Sequence, residues 1–214
     1  MKQIEKSFSW AELGRYEYLL VAHPDAAVNA KITAEKESFT AEYHQKIAAK
    51  TKPHITIASF VAREAMEETI LRYTQRICSR HHSFDVSLNN YSGFPSAHSV
   101  YLRVQNPQPF RQLAKELKVV SNYISSCACP PANLIGNPHV TIARRIPETV
   151  YLKAIMDYSQ KTFYETFMVH ELVLLRKSCQ FDTSKIVHVF RLQPTQDRFF
   201  ETCYSTELKP YENE

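Results

Sequence analysis

The sequence predicts an α+β fold of two pseudo-symmetric lobes, each an antiparallel sheet with helices on its outer side, around a central cleft. Three observations predict it. Segments with strand periodicity alternate with segments of helix periodicity, this succession restarts near residue 98, and the six residues from Pro53 recur from Pro138. The length of 214 residues is sufficient for one large domain or for two small, closely packed lobes.

The first repeat is expected over residues 16–97, after a short leader at residues 1–15. Pro24 favours the first turn of a helix that extends to about residue 49, and Pro53 ends it. Apolar residues three and four apart predict a second helix over 63–80. The remaining segments predict three strands and a loop: strands at 16–22, 54–60 and 84–88, and a loop at 91–98.

The second repeat is expected over residues 98–193 and has the same succession. Pro107 and Pro109 precede a predicted helix at 110–125, and Pro147 opens another that extends to about residue 160. Alternation and apolar runs predict four strands: 99–105, 139–145, 167–176 and 186–192. The polar tail at 194–214 is expected to be peripheral.

The most informative feature is the duplication of a histidine segment. Residues 53–58 read PHITIA, and residues 138–143 read PHVTIA. Upstream of each segment, residues 18–24 and 101–107 share tyrosine, leucine, valine and proline at the same four positions. Two matches in the same order and at nearly the same distance indicate an internal repeat rather than chance.

The duplicated residues suit acid–base chemistry. Alternation along a strand places His54 and Thr56 on one face, and His139 and Thr141 on the matching face of the second copy. A pseudo-twofold axis would set these faces around one cleft. A neutral imidazole can take a proton from water while a protonated imidazole gives one to a leaving oxygen, and threonine hydroxyls can bind phosphate oxygens. This set favours phosphodiester chemistry with no metal and no cofactor.

These paired H-x-T-x segments resemble the signature of the two-histidine (2H) phosphoesterase superfamily, and within it the 2'-5' RNA ligase / RNA 2',3'-cyclic phosphodiesterase family. The resemblance spans about residues 16–193 and includes Arg144 after the second segment. It implies a metal-independent enzyme that opens 2',3'-cyclic phosphates at RNA ends to 2'-phosphates, with reversible 2'-5' ligation as a second activity. It also implies that His54 is the general acid and His139 the base, an order that the residues alone do not fix.

Six further residues are candidates for substrate contacts. The resemblance favours Arg144 as a phosphate ligand, whereas strict strand alternation places Arg145 on the histidine face, so both are kept. Lys52 would add positive potential at the cleft mouth. Three aromatic residues are candidates for base stacking: Phe60, Phe94 and Tyr101.

The composition excludes several classes of protein. Three widely spaced glycines leave no G-x-G-x-x-G or Walker-type loop, and five cysteines without a C-x-x-C pair disfavour a disulfide scaffold or zinc knuckle. No apolar run reaches the length of a membrane span. We therefore expect a cytoplasmic monomer without membrane contacts. The net charge of +4 permits anionic partners, here RNA ends or small nucleotides with a 2',3'-cyclic phosphate or 2'-5' linkage.

Three alternative functions remain open. One is a phosphodiesterase for another small nucleotide, such as a 2'-5' oligonucleotide or a cyclic ADP-ribose phosphate. The second is a non-catalytic module that binds RNA ends, which the intact histidines and threonines of both copies disfavour. The third is a metal-dependent hydrolase, disfavoured because no carboxylate accompanies the histidines.

Overall fold

The computed structural model describes residues 14–45, 51–178 and 184–195. Strands and helices alternate within these ranges. The strands are β1 (Arg15–Ala22), β2 (Ile55–Arg63), β3 (Phe84–Phe94), β4 (Ser99–Val104), β5 (Asn133–Leu134), β6 (His139–Ala143), β7 (Tyr164–Val169), β8 (Glu171–Lys177) and β9 (Lys185–Arg191). The α-helices are α1 (Ala26–Tyr43), α2 (Glu67–Cys78), α3 (Gln108–Glu116), α4 (Lys118–Ser126) and α5 (Glu148–Tyr158).

The described strands form one antiparallel sheet with the order β7-β3-β4-β6-β2-β1-β8-β9, and β5 pairs with β2 beside this path. This order divides into two four-stranded halves, β7-β3-β4-β6 and β2-β1-β8-β9. They meet at the junction of β2 and β6, where a single residue pair, Ile55 and Val140, joins them. Both of these side chains are fully buried, so the junction lies within the hydrophobic core.

Each half of the sheet contains strands from both sequence repeats. β3 comes from the first repeat but pairs with β4 and β7, and β8 comes from the second repeat but pairs with β1. The helices follow the same exchange, because α1 packs on β6 and α3 packs on β2. A repeat of the sequence therefore does not correspond to one half of the structure, although the repeat boundary near residue 97 falls between β3 and β4.

Three predicted segments differ from the structure. The first half of the predicted loop at 91–98 is the end of β3, because its residues through Phe94 pair with β4. The predicted strand at 167–176 is two strands that separate at His170 and join opposite halves of the sheet. The predicted helix at 110–125 is two helices separated at Leu117. The hydrophobic pattern alone does not distinguish the predicted from the observed element in these segments, because both would bury the same apolar residues.

The helices cover the sheet with their apolar sides. Asp25 caps the start of α1, where its side chain accepts a hydrogen bond of 2.8 Å from the backbone N–H of Val28. α1 ends at Tyr43, and the left-handed backbone of His44 follows it. The helix therefore ends earlier than the predicted residue 49. Residues 46–50, most of the leader and most of the tail lie outside the described residues. Within the described residues, every helix is too short or too polar to cross a membrane.

Candidate two-histidine active site

The two histidine segments lie on neighbouring antiparallel strands. His54 immediately precedes β2, His139 begins β6, and the residue that follows each histidine belongs to the Ile55–Val140 pair. Antiparallel geometry therefore directs each histidine toward the threonine of the other copy. The paired aliphatic side chains are buried, whereas the histidines, Thr56 and Thr141 are only partly buried. One face of the junction thus contains two imidazoles and two hydroxyls.

The same backbone contact orients both imidazoles. Nδ1 of His54 lies 2.8 Å from the carbonyl oxygen of Lys52, and Nδ1 of His139 lies 2.8 Å from the carbonyl oxygen of Asn137. Because a carbonyl oxygen can only accept a hydrogen bond, Nδ1 carries the proton in both rings. Nε2 of each ring is then the nitrogen that exchanges a proton with a ligand.

Burial lowers the pKa of both imidazoles. The pKa of His54 falls to about 4, first because the ring is desolvated and then because His23, Lys36 and Lys177 place positive charge near it. Desolvation also lowers the pKa of His139. Both rings are therefore neutral at neutral pH in the unliganded protein. A bound anion would raise both pKa values, because negative charge stabilises the imidazolium form.

A buried lysine contributes to the positive charge beside the first histidine. The Lys36 side chain is 2 % exposed, and its ammonium donates to the carbonyl and hydroxyl oxygens of Thr51, the latter at 2.9 Å. Burial and then the charge of Arg144 lower the pKa of Lys36 to about 8. Arg144 is therefore close enough to act on Lys36, which in turn acts on His54. This concentration of cations favours an anionic ligand.

A β-bulge in each histidine strand changes which later residues face the cleft. The register of β2 against β1 skips Ile57, and the register of β6 against β4 skips Ile142, the equivalent residue of the second copy. An extra residue reverses the alternation of side chains beyond it. The burial pattern agrees, because two consecutive residues are buried at the bulge of each copy. They are Ile57 and Ala58 in β2, and Ile142 and Ala143 in β6.

The bulge decides between the two adjacent arginines. Strict alternation predicted Arg145 on the histidine face, but the reversal at Ile142 places Arg144 there instead. Arg144 follows β6 on the side of Ser99 and Phe94, which pair with each other on β4 and β3. Both arginines are exposed. Arg145 has a left-handed backbone, with φ of 54°, whereas the charge of Arg144 acts on Lys36 beside His54.

Two of the three aromatic candidates contact the second histidine. The rings of Phe94 and Tyr101 stack with their centroids 4.3 Å apart, and these centroids lie 5.0 and 4.9 Å from that of His139. The third candidate, Phe60, is buried against Tyr18 with a centroid distance of 5.2 Å. Phe60 lies beyond the bulge of β2, and the reversed alternation places it on the core face. The structure therefore does not bring Phe60 into the histidine cluster.

The structure adds one more histidine that sequence reasoning missed. The ring of His23 lies edge-on to that of His54 with a centroid distance of 6.2 Å, and its Nδ1 lies 3.0 Å from the carbonyl oxygen of Pro53. Its pKa is lowered, first by burial and also by the charge of Lys52. Lys52 is exposed at this side of the site. Asn106 occupies the position of His23 in the second copy, so the repeat contained no signal for it.

Lys36 was also missed, although the sequence contains a signal for it. The buried side of α1 consists of Val28, Ile32, Lys36, Phe39 and Tyr43, spaced three or four residues apart. A lysine in such an apolar series is either buried with a partner or misplaced. Within the described part of the chain, no group of three or more His, Cys, Asp or Glu side chains is arranged to hold a metal ion.

Comparison with known proteins is consistent with this geometry. The family model described as the 2'-5' RNA ligase superfamily matches residues 24–179. The chain belongs to the 2'-5' RNA ligase superfamily. Membership makes it a 2H phosphoesterase and supports a phosphodiesterase- or ligase-like enzyme. No curated protein matches the sequence.

The similarity of this chain to solved structures extends over nearly the whole length of those proteins. E. coli LigT complexed with 3'-AMP is 18% identical with a TM-score of 0.61, and the match covers 83% of this chain and 98% of LigT. TT0787 of Thermus thermophilus is 16% identical with a TM-score of 0.62, covering 84% of this chain and 99% of that protein. At these identities the likeness is one of fold: a large antiparallel sheet with helices, as in other 2'-5' RNA ligase superfamily members.

Proposed function

We propose that this superfamily member is a metal-independent RNA 2',3'-cyclic phosphodiesterase that yields a 2'-phosphate and also joins RNA ends reversibly through 2'-5' linkages. One observation carries the proposal. Two imidazoles flank a single strand pair, each with Nδ1 bound to a backbone carbonyl and Nε2 available for proton transfer. Acid–base catalysis at a phosphodiester needs two such groups on opposite sides of the reacting phosphorus.

In the hydrolytic direction, Nε2 of the base takes a proton from water as the water oxygen attacks phosphorus. The bond between phosphorus and the 3' oxygen breaks, and Nε2 of the acid gives its proton to that oxygen. The phosphate remains on the 2' oxygen. We assign His54 as the acid and His139 as the base, the order that the family resemblance implies. A phosphate charge beside His54 would raise its pKa, which allows this ring to carry the proton in the complex.

Three side chains are assigned to the phosphate. Thr56 and Thr141 can donate hydroxyl hydrogen bonds to its non-bridging oxygens, and Arg144 can offset the charge that builds on them. The stacked rings of Phe94 and Tyr101 are assigned to a nucleobase. The 3'-AMP complex of LigT supports a nucleotide-sized ligand for this fold.

The test is turnover of a nucleoside 2',3'-cyclic phosphate and of an oligonucleotide with a cyclic phosphate end, in excess EDTA. We expect a 2'-phosphate product and a bell-shaped rate profile between about pH 5 and about pH 9. His54→Ala and His139→Ala should each lower kcat by roughly 10²–10⁴-fold. His82→Ala is the matched control, because Nδ1 of His82 also binds a backbone carbonyl, that of Pro194 at 2.9 Å, away from the junction.

The alternatives predict different results in the same assay. Binding of the oligonucleotide without turnover would favour the RNA-end-binding module, and loss of turnover in EDTA would favour a metal-dependent hydrolase. Turnover only of a 2'-5' oligonucleotide or a cyclic ADP-ribose phosphate would favour the other small-nucleotide phosphodiesterase.

A substrate with a better leaving group assigns the two histidines. A phosphodiester of 4-nitrophenol releases an anion that needs no proton, so it should restore turnover to the variant that lacks the acid and not to the variant that lacks the base. We expect restoration in His54→Ala. Restoration in His139→Ala instead would reverse the order of the two roles.

A further inference from the structure

In both repeats, the carbonyl group three residues before the histidine accepts a hydrogen bond from a cation on a helix earlier in the same repeat. Lys36 of α1 donates from Nζ to the carbonyl oxygen of Thr51 and to its hydroxyl. Arg111 of α3 donates from Nε to the carbonyl oxygen of Gly136 at 3.0 Å. Thr51 and Gly136 occupy the same position relative to the two histidines.

The next carbonyl along the chain holds the imidazole. The carbonyl oxygen of Lys52 binds Nδ1 of His54, and that of Asn137 binds Nδ1 of His139. Two consecutive carbonyls therefore act together, since the first is held by a helix and the second holds the ring. Hydrogen bonds from a charged donor are stronger than neutral ones, so the cation restricts rotation of the loop that presents the second carbonyl.

We propose that Lys36 and Arg111 are a pair of positioning residues, each of which fixes the loop that orients one of the two histidines. The catalytic part of this proposal rests on the proposed function. The contact itself does not, because it concerns the tautomer and orientation of the two rings.

The two cations reach equivalent carbonyls by different routes. Lys36 lies late in α1, which packs on β6, whereas Arg111 lies in the first half of α3, which packs on β2. Neither residue belongs to the duplicated PHITIA and PHVTIA segments. Two different residue types at unrelated helix positions therefore make the same hydrogen bond. Its presence in both copies is not a consequence of repeated helix sequence, which indicates that the hydrogen bond itself has a role.

The two contacts differ in how their charge acts. Lys36 is buried, and its charge is one of the causes that lower the pKa of His54. Arg111 is exposed, and the pKa of His139 responds to burial and to the carbonyl of Asn137 rather than to Arg111. Orientation and charge can therefore be separated, because Arg111 isolates the effect of orientation.

The experiment combines nitrogen NMR of the imidazole rings with steady-state kinetics on the full chain. Arg111→Met should shift neutral His139 away from the Nδ1-protonated tautomer and leave His54 unchanged. Lys36→Met should do the same to His54 alone and should raise its pKa, because a neighbouring positive charge is removed. We expect kcat to fall roughly 10–100-fold in either variant, with KM within about twofold of the wild-type value.

Conservative variants and exposed lysines on the same helices are the controls. Lys36→Arg and Arg111→Lys keep a charged donor and should recover most of kcat together with the native tautomer. Lys31→Met on α1 and Lys115→Met on α3 should change neither ring. If burial of Lys36 prevents Lys36→Met from folding, Lys36→Arg and the exposed Arg111→Met still test the proposal.

Each result has a definite reading. Unchanged tautomers of both rings in the methionine variants would overturn the positioning role, even if turnover fell. Changed tautomers in a protein that turns over no phosphodiester would support the positioning role and contradict the proposed function. A change of both rings in either single variant would also overturn the proposal, because it would indicate a general loosening of the fold.

Discussion

Arg144 and Arg145 are adjacent but differ in position and backbone conformation. Both are exposed. The bulge places Arg144 on the histidine face, where its charge acts on Lys36, whereas Arg145 has a left-handed backbone with φ of 54°. We expect Arg144→Ala to lower kcat/KM by roughly 10²-fold, because one donor to the phosphate is lost. Arg145→Gly should leave turnover unchanged and stabilise the protein by about 1 kcal/mol, because glycine adopts this backbone without strain.

Kinetics on the cyclic phosphate and urea unfolding of the same two variants check this prediction. The variants serve as controls for each other, since each removes one positive charge from neighbouring positions. A larger loss of kcat/KM in Arg145→Gly than in Arg144→Ala would contradict the assignment of faces derived from the bulge.

The shared face of the duplicated residues was predictable, whereas the residues beyond them were not. Only one residue separates each histidine from its threonine, and the bulges at Ile57 and Ile142 lie after both threonines. Alternation therefore holds up to Thr56 and Thr141 and fails at Phe60 and beyond. A bulge depends on the neighbouring strand, so it could not be read from the strand's own sequence.

Gly93 provides the space in which α5 packs against β3. A Cβ atom at this position would lie 2.5 Å from the hydroxyl oxygen of Tyr151 and 2.6 Å from Cδ1 of Ile155. We expect Gly93→Ala to lower the free energy of unfolding by about 1–3 kcal/mol, because α5 or β3 must move. Turnover should fall as well, because the next residue, Phe94, contacts the ring of His139.

Gly136→Ala is the matched control for Gly93→Ala. A Cβ atom at Gly136 would meet nothing within 4 Å, so this variant should unfold at the same or a higher urea concentration than the wild type. Equal stability of both alanine variants would show that α5 tolerates the added atom, and the packing argument would then be wrong.

Strands whose partners are distant in the sequence were the hardest elements to predict. The segment at 167–176 contains no proline or glycine, and only the polar pair His170 and Glu171 interrupts its apolar residues where β7 ends and β8 begins. The separation follows from pairing, since β7 extends β3 and β8 extends β1 on opposite sides of the junction. Local periodicity identifies such a segment as a strand but not its neighbours.

The exchange of strands between the halves explains why the repeat predicted the site better than the architecture. Duplication required two equivalent histidine strands, and they lie side by side as β2 and β6. It did not specify which half β3, β8 and β9 would complete. With one residue pair joining the halves at the junction, the crossing elements α1 and α3 also connect them, because each packs on the histidine strand of the other repeat.

The same junction should make the stability of the protein depend on pH. Folding lowers the pKa of His23, His54 and His139 mainly by burial. Below about pH 6.5 the unfolded chain then binds more protons than the folded protein. The free energy of unfolding should therefore decrease as the pH is lowered, down to the folded pKa of His54, about 4. A shift of this size in His54 alone contributes at most about 3 kcal/mol.

Urea unfolding at about pH 7 and about pH 4.5 measures this loss of stability. His54→Asn should reduce the loss, and the surface control His82→Asn should not. Inorganic phosphate should also reduce it, because an anion in the cleft favours the charged rings of the folded state. An equal loss in His54→Asn and the wild type would mean that burial of this histidine does not set the pH dependence, and the electrostatic account of the junction would fail with it.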